Sequence, residues 1–236
     1  MIDMRGIQMR EKLLAGQRIG MINPHHNSVT LASRLVEIGA DAIFADCEHG
    51  PWSHEDIRVM GQTVRGAGGA MIVRPDSHQR STIIRYLNMG ADGIMVPMVE
   101  TAEQAQAIVD TVQYACPTDY EKRLVVCMIE SAETVQNELD EMLAVEGVDV
   151  FFIGPNDLAQ SMGLMPYSGA GNPPPPELEE MVKLALTKIT NAGKIGGTLT
   201  TLDRLAYWTA QGAQFIYYHM DPFIGQGIRE FQAKLA

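Results

Sequence analysis

Short apolar runs alternate with longer amphipathic segments along the whole chain. The run from residue 148 to residue 153 is almost continuously apolar and ends at Gly154-Pro155, which is the pattern of a strand buried on both faces. The segment after Ser28 instead repeats its apolar residues at helical spacing, with Ser28 placed to cap the first turn and Gly39 to end the last. The two patterns predict a succession of buried strands and amphipathic helices.

Most of the chain falls into regular elements. The predicted strands cover residues 18–23, 42–45, 70–73, 93–99, 124–129, 148–153, 195–199 and 215–219. The predicted helices cover residues 1–16, 28–39, 53–65, 80–89, 101–114, 132–143, 177–192, 202–211 and 223–235. A loop at residues 165–176, with four consecutive prolines, separates the sixth strand from the helix that follows.

Strict alternation of strand and helix predicts a parallel sheet, and about eight such units in a chain of 236 residues predict a closed (β/α)₈ barrel. We expect one domain over residues 1–236, with an extra helix at its N-terminus. A doubly wound open sheet is the alternative. Several predicted strands follow a helix-ending glycine and a tight turn, at Gly39-Ala40-Asp41, Gly90-Ala91-Asp92, Gly147-Val148-Asp149 and Gly212-Ala213-Gln214.

Composition narrows the class of protein. The formal charge is 18 − 29 = −11 and no basic run occurs, so a nucleic-acid or anionic-membrane surface is not expected. Three cysteines without CxxC spacing, Cys47, Cys116 and Cys127, argue against a disulfide framework or a structural zinc site. Free thiols fit a reducing compartment, and no apolar run reaches the roughly 18 residues of a membrane span. We therefore predict a cytoplasmic protein without a signal peptide.

Polar residues stand at the carboxyl ends of several predicted strands, where a barrel of this type has its active site. Asp46, Glu48 and His49 follow the second strand, Arg74 the third, Glu130 the fifth, and Asn156 with Asp157 the sixth. Two acids at successive strand exits predict a divalent cation such as Mg²⁺ or Mn²⁺, which accepts one or two carboxylates together with water and substrate oxygens. The alternatives are that Glu130 and Asp157 only cap neighbouring turns.

The other residues at these exits suggest proton transfer and anion binding. His49 lies three residues after Asp46, so a carboxylate-oriented imidazole acting as general base is one interpretation, and a loop histidine without function is the other. Arg74 is either a clamp for a carboxylate or enolate, or the partner of a nearby acid. No lysine falls at a predicted strand exit, which disfavours Schiff-base chemistry. His25, His26 and His219 also fall at exits and could contact a substrate.

These residues occur within a longer ordered set of motifs. The set is Asp46-x-Glu48-His49-Gly50, Val73-Arg74-Pro75, Gly90-Ala91, Val96-Pro97-Met98-Val99, Ile129-Glu130-Ser131, Ile153-Gly154-Pro155-Asn156-Asp157-Leu158, Met162-Gly163 and Gly171-Asn172-Pro173. In this order the motifs resemble the HpcH/HpaI family of metal-dependent (class II) pyruvate aldolases over nearly the whole chain. The resemblance implies a (β/α)₈ barrel whose last helix is exchanged between protomers, commonly in a hexamer or another trimer-based homo-oligomer. It also implies reversible cleavage of a 2-keto-4-hydroxy acid into pyruvate, or a related 2-keto acid, and an aldehyde.

The resemblance also implies a role for each site residue. Glu130 and Asp157 would bind the metal (Mg²⁺, Mn²⁺ or Co²⁺), and backbone N–H groups near Gly154, Asn156 and Asp157 would hold the pyruvate carboxylate. Arg74 would contact the keto oxygen, and His49 oriented by Asp46 would take the proton from the 4-hydroxyl group.

The chain departs from the family pattern in three places. Asn88 replaces an acid, the loop at residues 116–121 is short, and residues 21–26 lack the usual aromatic residue. Two other functions stay open. One is a lyase for citrate or a CoA ester on the same scaffold, although CoA phosphates would need basic residues that this acidic chain does not cluster. The other is a non-catalytic barrel that binds a keto acid.

Overall fold

Eight short parallel strands form the centre of the structure, a computed structural model that describes residues 5–167 and 173–235. The strands are β1 (Ile19–Asn23), β2 (Ala42–Asp46), β3 (Ala70–Arg74), β4 (Gly93–Val96), β5 (Leu124–Ile129), β6 (Val150–Ile153), β7 (Ile195–Leu199) and β8 (Ala213–His219). Each pairs with the next in chain order, and β8 pairs with β1. The predicted (β/α)₈ barrel is therefore confirmed, and closure excludes the open sheet.

Helices surround the barrel and bury an apolar face against it. They are α1 (Arg5–Leu14), α2 (Val29–Glu37), α3 (His54–Ala67), α4 (Arg80–Asn88), α5 (Ala102–Ala115), α6 (Leu139–Met142), α7 (Pro155–Ser161), α8 (Pro176–Asn191), α9 (Leu205–Ala210) and α10 (Met220–Ala233). The side chain of Ser28 caps α2 as predicted, and Ser53 caps α3 through a reciprocal capping box with Asp56.

Several predicted bounds were wrong, for local reasons. β4 ends at Val96 rather than at residue 99, because Pro97 has no N–H to donate and Met98 adopts a left-handed φ of 50°. A π-helical turn at Thr134–Glu138 precedes α6, and α9 begins at residue 205 rather than at 202. Helix α7 was not predicted, because the Gly154-Pro155 pair that ends the strand also begins this helix. Residues 171–172 of the predicted Gly171-Asn172-Pro173 motif lie outside the described residues.

Helix α1 and three aspartates close the barrel at the end where the strands begin. Met9 and Leu13 of α1 are buried in the same apolar cluster as the barrel interior. The carboxylates of Asp41, Asp92 and Asp149 each accept a backbone N–H from the preceding strand, from Gly20, Met71 and Val125 at 2.9, 2.9 and 2.7 Å. The repeated glycine-x-aspartate turns thus tie neighbouring strands together at this end. The opposite end, where the strands finish, is left for the site.

Helix α10 presents much of its apolar surface to solvent. Phe223, Ile224, Ile228 and Phe231 are 42%, 47%, 56% and 61% exposed, which is unusual for a helix of large hydrophobic residues. The sequence-based prediction that this helix is exchanged between protomers stays a prediction. Within residues 5–167 and 173–235, no helix is long and apolar enough to cross a membrane.

Candidate active site

A cavity of about 370 Å³ opens at the carboxyl ends of the strands. Its walls bring together the seven residues predicted to act in catalysis, substrate binding or metal binding, namely Asp46, His49, Arg74, Glu130, Gly154, Asn156 and Asp157. Two further strand-exit residues named from the sequence, Glu48 and His26, are not among the described residues that line it. Apolar side chains of the barrel interior, including Phe44, Met128 and Phe152, lie beneath them. Polar groups therefore converge above an apolar floor, as in most small-molecule sites.

Arg74 and Asp46 form the best-defined ion pair of the cavity. The two residues are direct partners across the β2–β3 pair, and their side chains are only 10% and 13% exposed. Arg74 Nε donates to Asp46 Oδ1 at 2.9 Å and Nη2 donates to Oδ2 at 2.7 Å. Although burial opposes it, this bidentate contact lowers the pKa of Asp46 on balance. Nη1 of Arg74 lies 3.1 Å from Glu48.

The expected contact between the Asp46 carboxylate and the His49 imidazole is wrong. Asp46 Oδ1 instead accepts the backbone N–H groups of Glu48 and His49, both at 3.2 Å, while Arg74 occupies both carboxylate oxygens. The His49 side chain is 65% exposed, with Nε2 3.8 Å from Glu48. Asp46 therefore orients Arg74 and the loop backbone, and His49 stands at the cavity mouth without the predicted support of its ring.

Glu130 is a buried acid at the end of β5, with 2% of its surface exposed. Its Oε2 accepts the N–H of Met98 at 2.7 Å, which the left-handed backbone of Met98 turns toward it. Burial, and then repulsion from Asp157, raises the pKa of Glu130 to about 8. Gly154 leaves space for this side chain, because a Cβ on it would lie 2.5 Å from Glu130 Oε1.

The donor set fits a hard divalent cation. The neighbouring carboxylate of Asp157 raises the pKa of Glu130, and a bound cation would relieve that repulsion. Mg²⁺-type ions accept one or two carboxylates with water and substrate oxygens in the remaining positions. In the described part of the chain, no group of three or more His, Cys, Asp or Glu side chains is arranged to hold a metal. Glu130 and Asp157 would thus leave most of the coordination sphere to water and substrate.

Helix α7 begins beside these acids. Gly154 is its N-cap and Pro155 its first residue, a favourable position for proline. The N–H of Gly154 already donates to the carbonyl of Ile129 at 3.1 Å, so this group is not available to the predicted keto-acid carboxylate. The N–H groups of Asn156 and Asp157 lie in the first turn, where a helix has no internal acceptors.

A second polar cluster in the cavity was predicted only in part, since the sequence indicated His25 and His219 but neither Asn23 nor Tyr217. Asn23, His25, Tyr217 and His219 line the same walls and come from β1, β8 and the loop after β1. His25 Nε2 lies 2.7 Å from His219 Nδ1, and His25 Nδ1 lies 2.8 Å from Asp221 Oδ2. The sequence placed His25 and His219 at strand exits, but their contact depends on closure of the barrel, which brings the first and last strands together.

Comparisons with known proteins agree with this geometry. A profile of the HpcH/HpaI aldolase/citrate lyase family matches residues 18–221. A 4-hydroxy-2-oxovalerate aldolase of Novosphingobium aromaticivorans is 32% identical over 228 residues, covering 84% of this chain and 84% of the relative. A 2-keto-3-deoxy-L-rhamnonate aldolase of Escherichia coli K12 is 29% identical over 212 residues, covering 79% and 76%.

Among solved structures, an HpcH/HpaI aldolase/citrate lyase family protein from Burkholderia cenocepacia J2315 superposes with a TM-score of 0.85, at 21% identity and with 97% of this chain and 98% of that chain covered. At that identity the likeness shows the fold. The chain belongs to the HpcH/HpaI aldolase/citrate lyase family. The predicted family is confirmed, and so is the prediction of aldolase-type carbon–carbon lyase chemistry at the level of the family.

Proposed function

We propose that this chain is a divalent-metal-dependent aldolase that reversibly cleaves a 2-keto-4-hydroxy acid into pyruvate, or a related 2-keto acid, and an aldehyde. The observation that carries the proposal is the juxtaposition, in one cavity, of the Glu130–Asp157 acid pair with the buried guanidinium of Arg74. The acids fit a cation, and the guanidinium supplies fixed positive charge where negative charge develops on a keto oxygen.

Each residue then has a defined role. Glu130 and Asp157 would hold the metal, and a divalent cation bound there would supply Lewis-acid polarisation of the 2-keto group. Arg74, held by Asp46, donates toward the keto oxygen, and the N–H groups of Asn156 and Asp157 receive the keto-acid carboxylate. Gly154 contributes space beside Glu130 rather than a donor. The Arg74 guanidinium, the backbone N–H groups of Asn156 and Asp157 and the apolar floor together orient a short 2-keto acid.

We propose His49 as the group that exchanges a proton with the methyl carbon of the 2-keto acid. Its exposed ring at the cavity mouth can deliver protons from solvent. This role does not require the Asp46 contact that the structure lacks. Small keto acids and aldehydes are the proposed partners, with Mg²⁺, Mn²⁺ or Co²⁺ as the cation.

We also propose a cytoplasmic homo-oligomer, either a hexamer or another trimer-based assembly. The free cysteines Cys47, Cys116 and Cys127 support a reducing location. The exposed apolar side chains of α10 support burial of that helix against another copy of the chain. No nucleic-acid or membrane partner is proposed, in keeping with the formal charge of −11.

The alternative of a CoA-ester lyase is less well supported. Arg74 is the one arginine among the described residues that line the cavity. The phosphates of a CoA ester need several exposed cations, so a short substrate fits this cavity better. A non-catalytic barrel would bind keto acid and metal without turnover.

The test compares Asp157→Asn and Glu130→Gln with the wild type and with Glu133→Gln, an exposed acid three residues after Glu130. Metal binding is measured by calorimetry, and cleavage of 4-hydroxy-2-oxovalerate is measured by pyruvate release. We expect both site variants to lose metal binding and at least 10²-fold in cleavage, while Glu133→Gln retains both. Metal binding that survives in both site variants would contradict the assignment, and wild-type protein that binds metal without cleavage would favour the non-catalytic barrel.

A further inference from the structure

Two histidines line the cavity on the side of β1 and β8, and an aspartate outside the cavity lining contacts one of them. Asp221 Oδ2 lies 2.8 Å from His25 Nδ1, and His25 Nε2 lies 2.7 Å from His219 Nδ1. Both are normal or short hydrogen-bond distances between ring nitrogens and their partners. The three groups therefore form one continuous path from the half-exposed Asp221 to His219 in the cavity wall.

The chemistry of the three groups determines where the protons lie. An ionised carboxylate only accepts hydrogen bonds, so His25 Nδ1 carries a hydrogen. When His25 is neutral, its Nε2 is an acceptor and His219 Nδ1 must donate to it. His219 is then neutral with its hydrogen on Nδ1, which leaves the lone pair of Nε2 without a partner among the described residues. Burial, and then the neighbouring His25, lowers the pKa of His219 to about 4, which keeps this ring neutral.

The neighbouring residues hold this arrangement in place. Asn23 is the partner of His219 across the β1–β8 pair, and its Oδ1 accepts the N–H of His25 at 2.8 Å. That contact accompanies a left-handed φ of 55° at His25, an uncommon backbone conformation for a residue with a side chain. Asn23 Nδ2 donates to the hydroxyl oxygen of Tyr217 at 2.8 Å. The histidine pair is thus a built feature of the wall, fixed from both strands.

We propose that His219 is the catalytic base that removes the proton from the 4-hydroxyl group in the cleavage direction, with His25 and Asp221 as positioning residues that accept the resulting charge. This inference rests on the proposed aldolase function and names the proton acceptor that the predicted Asp46–His49 pair would have supplied. A carboxylate-backed imidazole does exist in the cavity, but it is His25, on the loop after β1, and its other ring nitrogen contacts His219 at the end of β8.

The proposed step is balanced. The 4-hydroxyl proton moves to His219 Nε2, the C4–O bond becomes the aldehyde carbonyl, and the C3–C4 bond breaks with its electron pair forming the enolate of the 2-keto acid. The hydrogen on His219 Nδ1 passes to His25 Nε2, so the positive charge resides on His25 beside Asp221. Condensation runs the same transfers in reverse. Charge therefore leaves the partly buried ring of His219 for the more exposed ring of His25, where a carboxylate and water stabilise it.

The two histidine sites of the cavity divide the proton transfers between them. His49 lies on the loop after β2, and His219 at the end of β8. In the proposal His49 serves the methyl carbon of the keto acid, whereas His219 serves the oxygen of the aldehyde portion. Exchange of pyruvate methyl protons with solvent needs only the first transfer, and cleavage needs the second. The two reactions therefore separate the two roles.

The experiment uses the metal-loaded full chain and measures two rates for each variant. Cleavage of 4-hydroxy-2-oxovalerate is followed by pyruvate release, and deuterium uptake into pyruvate in deuterated buffer is followed by mass spectrometry. For His219→Gln we expect cleavage to fall at least 10²-fold, as for a lost general base, with deuterium uptake within 3-fold of wild type. His26→Gln is the matched control and should leave both rates unchanged, because His26 is exposed and is not among the described residues that line the cavity.

The positioning residues give a second set of readouts. For His25→Gln and Asp221→Asn we expect kcat for cleavage to fall about 10-fold or more with KM within 2-fold, because substrate contacts are kept while the accepting charge is lost. Asp221→Glu should restore most of the rate.

Three results would overturn the inference. Cleavage at the wild-type rate in His219→Gln would exclude His219 as the base and would leave the proposed aldolase function intact. Equal loss of cleavage and exchange in that variant makes His219 a support of the whole site rather than the base. Wild-type protein that shows neither cleavage nor deuterium uptake would contradict both the proposed aldolase function and the role of His219 as base.

Discussion

Replacing Asp46 with asparagine tests the buried ion pair that positions Arg74. The carboxylate receives two hydrogen bonds from the guanidinium, at 2.9 and 2.7 Å, and two from the backbone of the following loop, both at 3.2 Å. The introduced asparagine could keep the backbone contacts through its one carbonyl oxygen. It could not keep the bidentate contact, and the ion pair with Glu48 and the more distant charge of Glu130 would be what remains to compensate the buried cation.

The expected loss of stability is large because the Asp46–Arg74 ion pair is buried. Removing one partner of a buried pair typically costs about 3 to 5 kcal/mol, because the other charge is left uncompensated. Glu48, 27% exposed and 3.1 Å from Arg74, remains to offset part of this, so we expect a loss of about 3 kcal/mol in the free energy of unfolding. For a chain of this length that corresponds to a decrease of about 6 to 12 °C in Tm.

The loss of stability in Asp46→Asn should depend on pH, and the pKa of Asp46 gives the direction of that dependence. The Arg74 contact holds the folded-state pKa of Asp46 below its ordinary value of 3.8. Asp46 therefore contributes its stability above that value and loses the contribution as pH falls through the lower folded-state pKa. The difference in Tm between wild type and Asp46→Asn should be full at pH 7 and should narrow below about pH 4.

The assay is thermal unfolding followed by circular dichroism at several pH values. Glu37→Gln, which removes one partner of an exposed surface pair with Arg34, is the control and should show little change. A Tm of Asp46→Asn equal to that of wild type at pH 7 would refute the reasoning, since it would mean that Arg74 does not depend on Asp46. A Tm difference that widens as pH falls would refute the predicted direction of the pH dependence.

Further predictions concern the cavity and α10. Arg74→Lys keeps a charge but loses the planar guanidinium, so we expect kcat/KM for cleavage to fall about 10²- to 10³-fold; an unchanged value would remove Arg74 from the keto-oxygen site. His49→Ala should slow deuterium uptake into pyruvate by roughly 10²-fold while metal affinity measured by calorimetry stays the same; uptake at the wild-type rate would assign that proton to another group. The double substitution Ile228→Glu and Phe231→Glu, at positions 56% and 61% exposed on α10, should convert the assembly to smaller species in light scattering; an unchanged mass would show that α10 is not at the interface.

The barrel was predictable because its determinants are local. Each strand is short and apolar, each helix carries an amphipathic pattern, and glycines such as Gly39 and Gly90 end helices with the positive φ that the turns require. The errors were also local, as at β4, where Pro97 and Met98 end the strand early. Helix α7 escaped prediction because a Gly-Pro pair fits both the end of a strand and the start of a helix.

The site was only partly predictable because its contacts depend on register and closure. All seven candidate residues line one cavity, since the carboxyl ends of parallel strands meet at one end of a barrel. The side-chain partner of Asp46, by contrast, could not be predicted from its position at a strand end. The register of β2 with β3 places Arg74 directly beside it, whereas its spacing from His49 in the sequence suggested the imidazole. The His25–His219 pair joins residues 194 positions apart, which no local pattern indicates.

Metal-dependent enolate formation is the most direct test of the proposed function. Purified protein is stripped of metal with a chelator and incubated with pyruvate in deuterated buffer, alone and with Mg²⁺, Mn²⁺ or Co²⁺, and deuterium uptake is measured by mass spectrometry. We expect uptake at the methyl carbon with metal, little without it, and loss of the metal effect in Asp157→Asn. Uptake that is equally fast without metal, or absent with all three ions, would contradict the proposed metal-dependent aldolase.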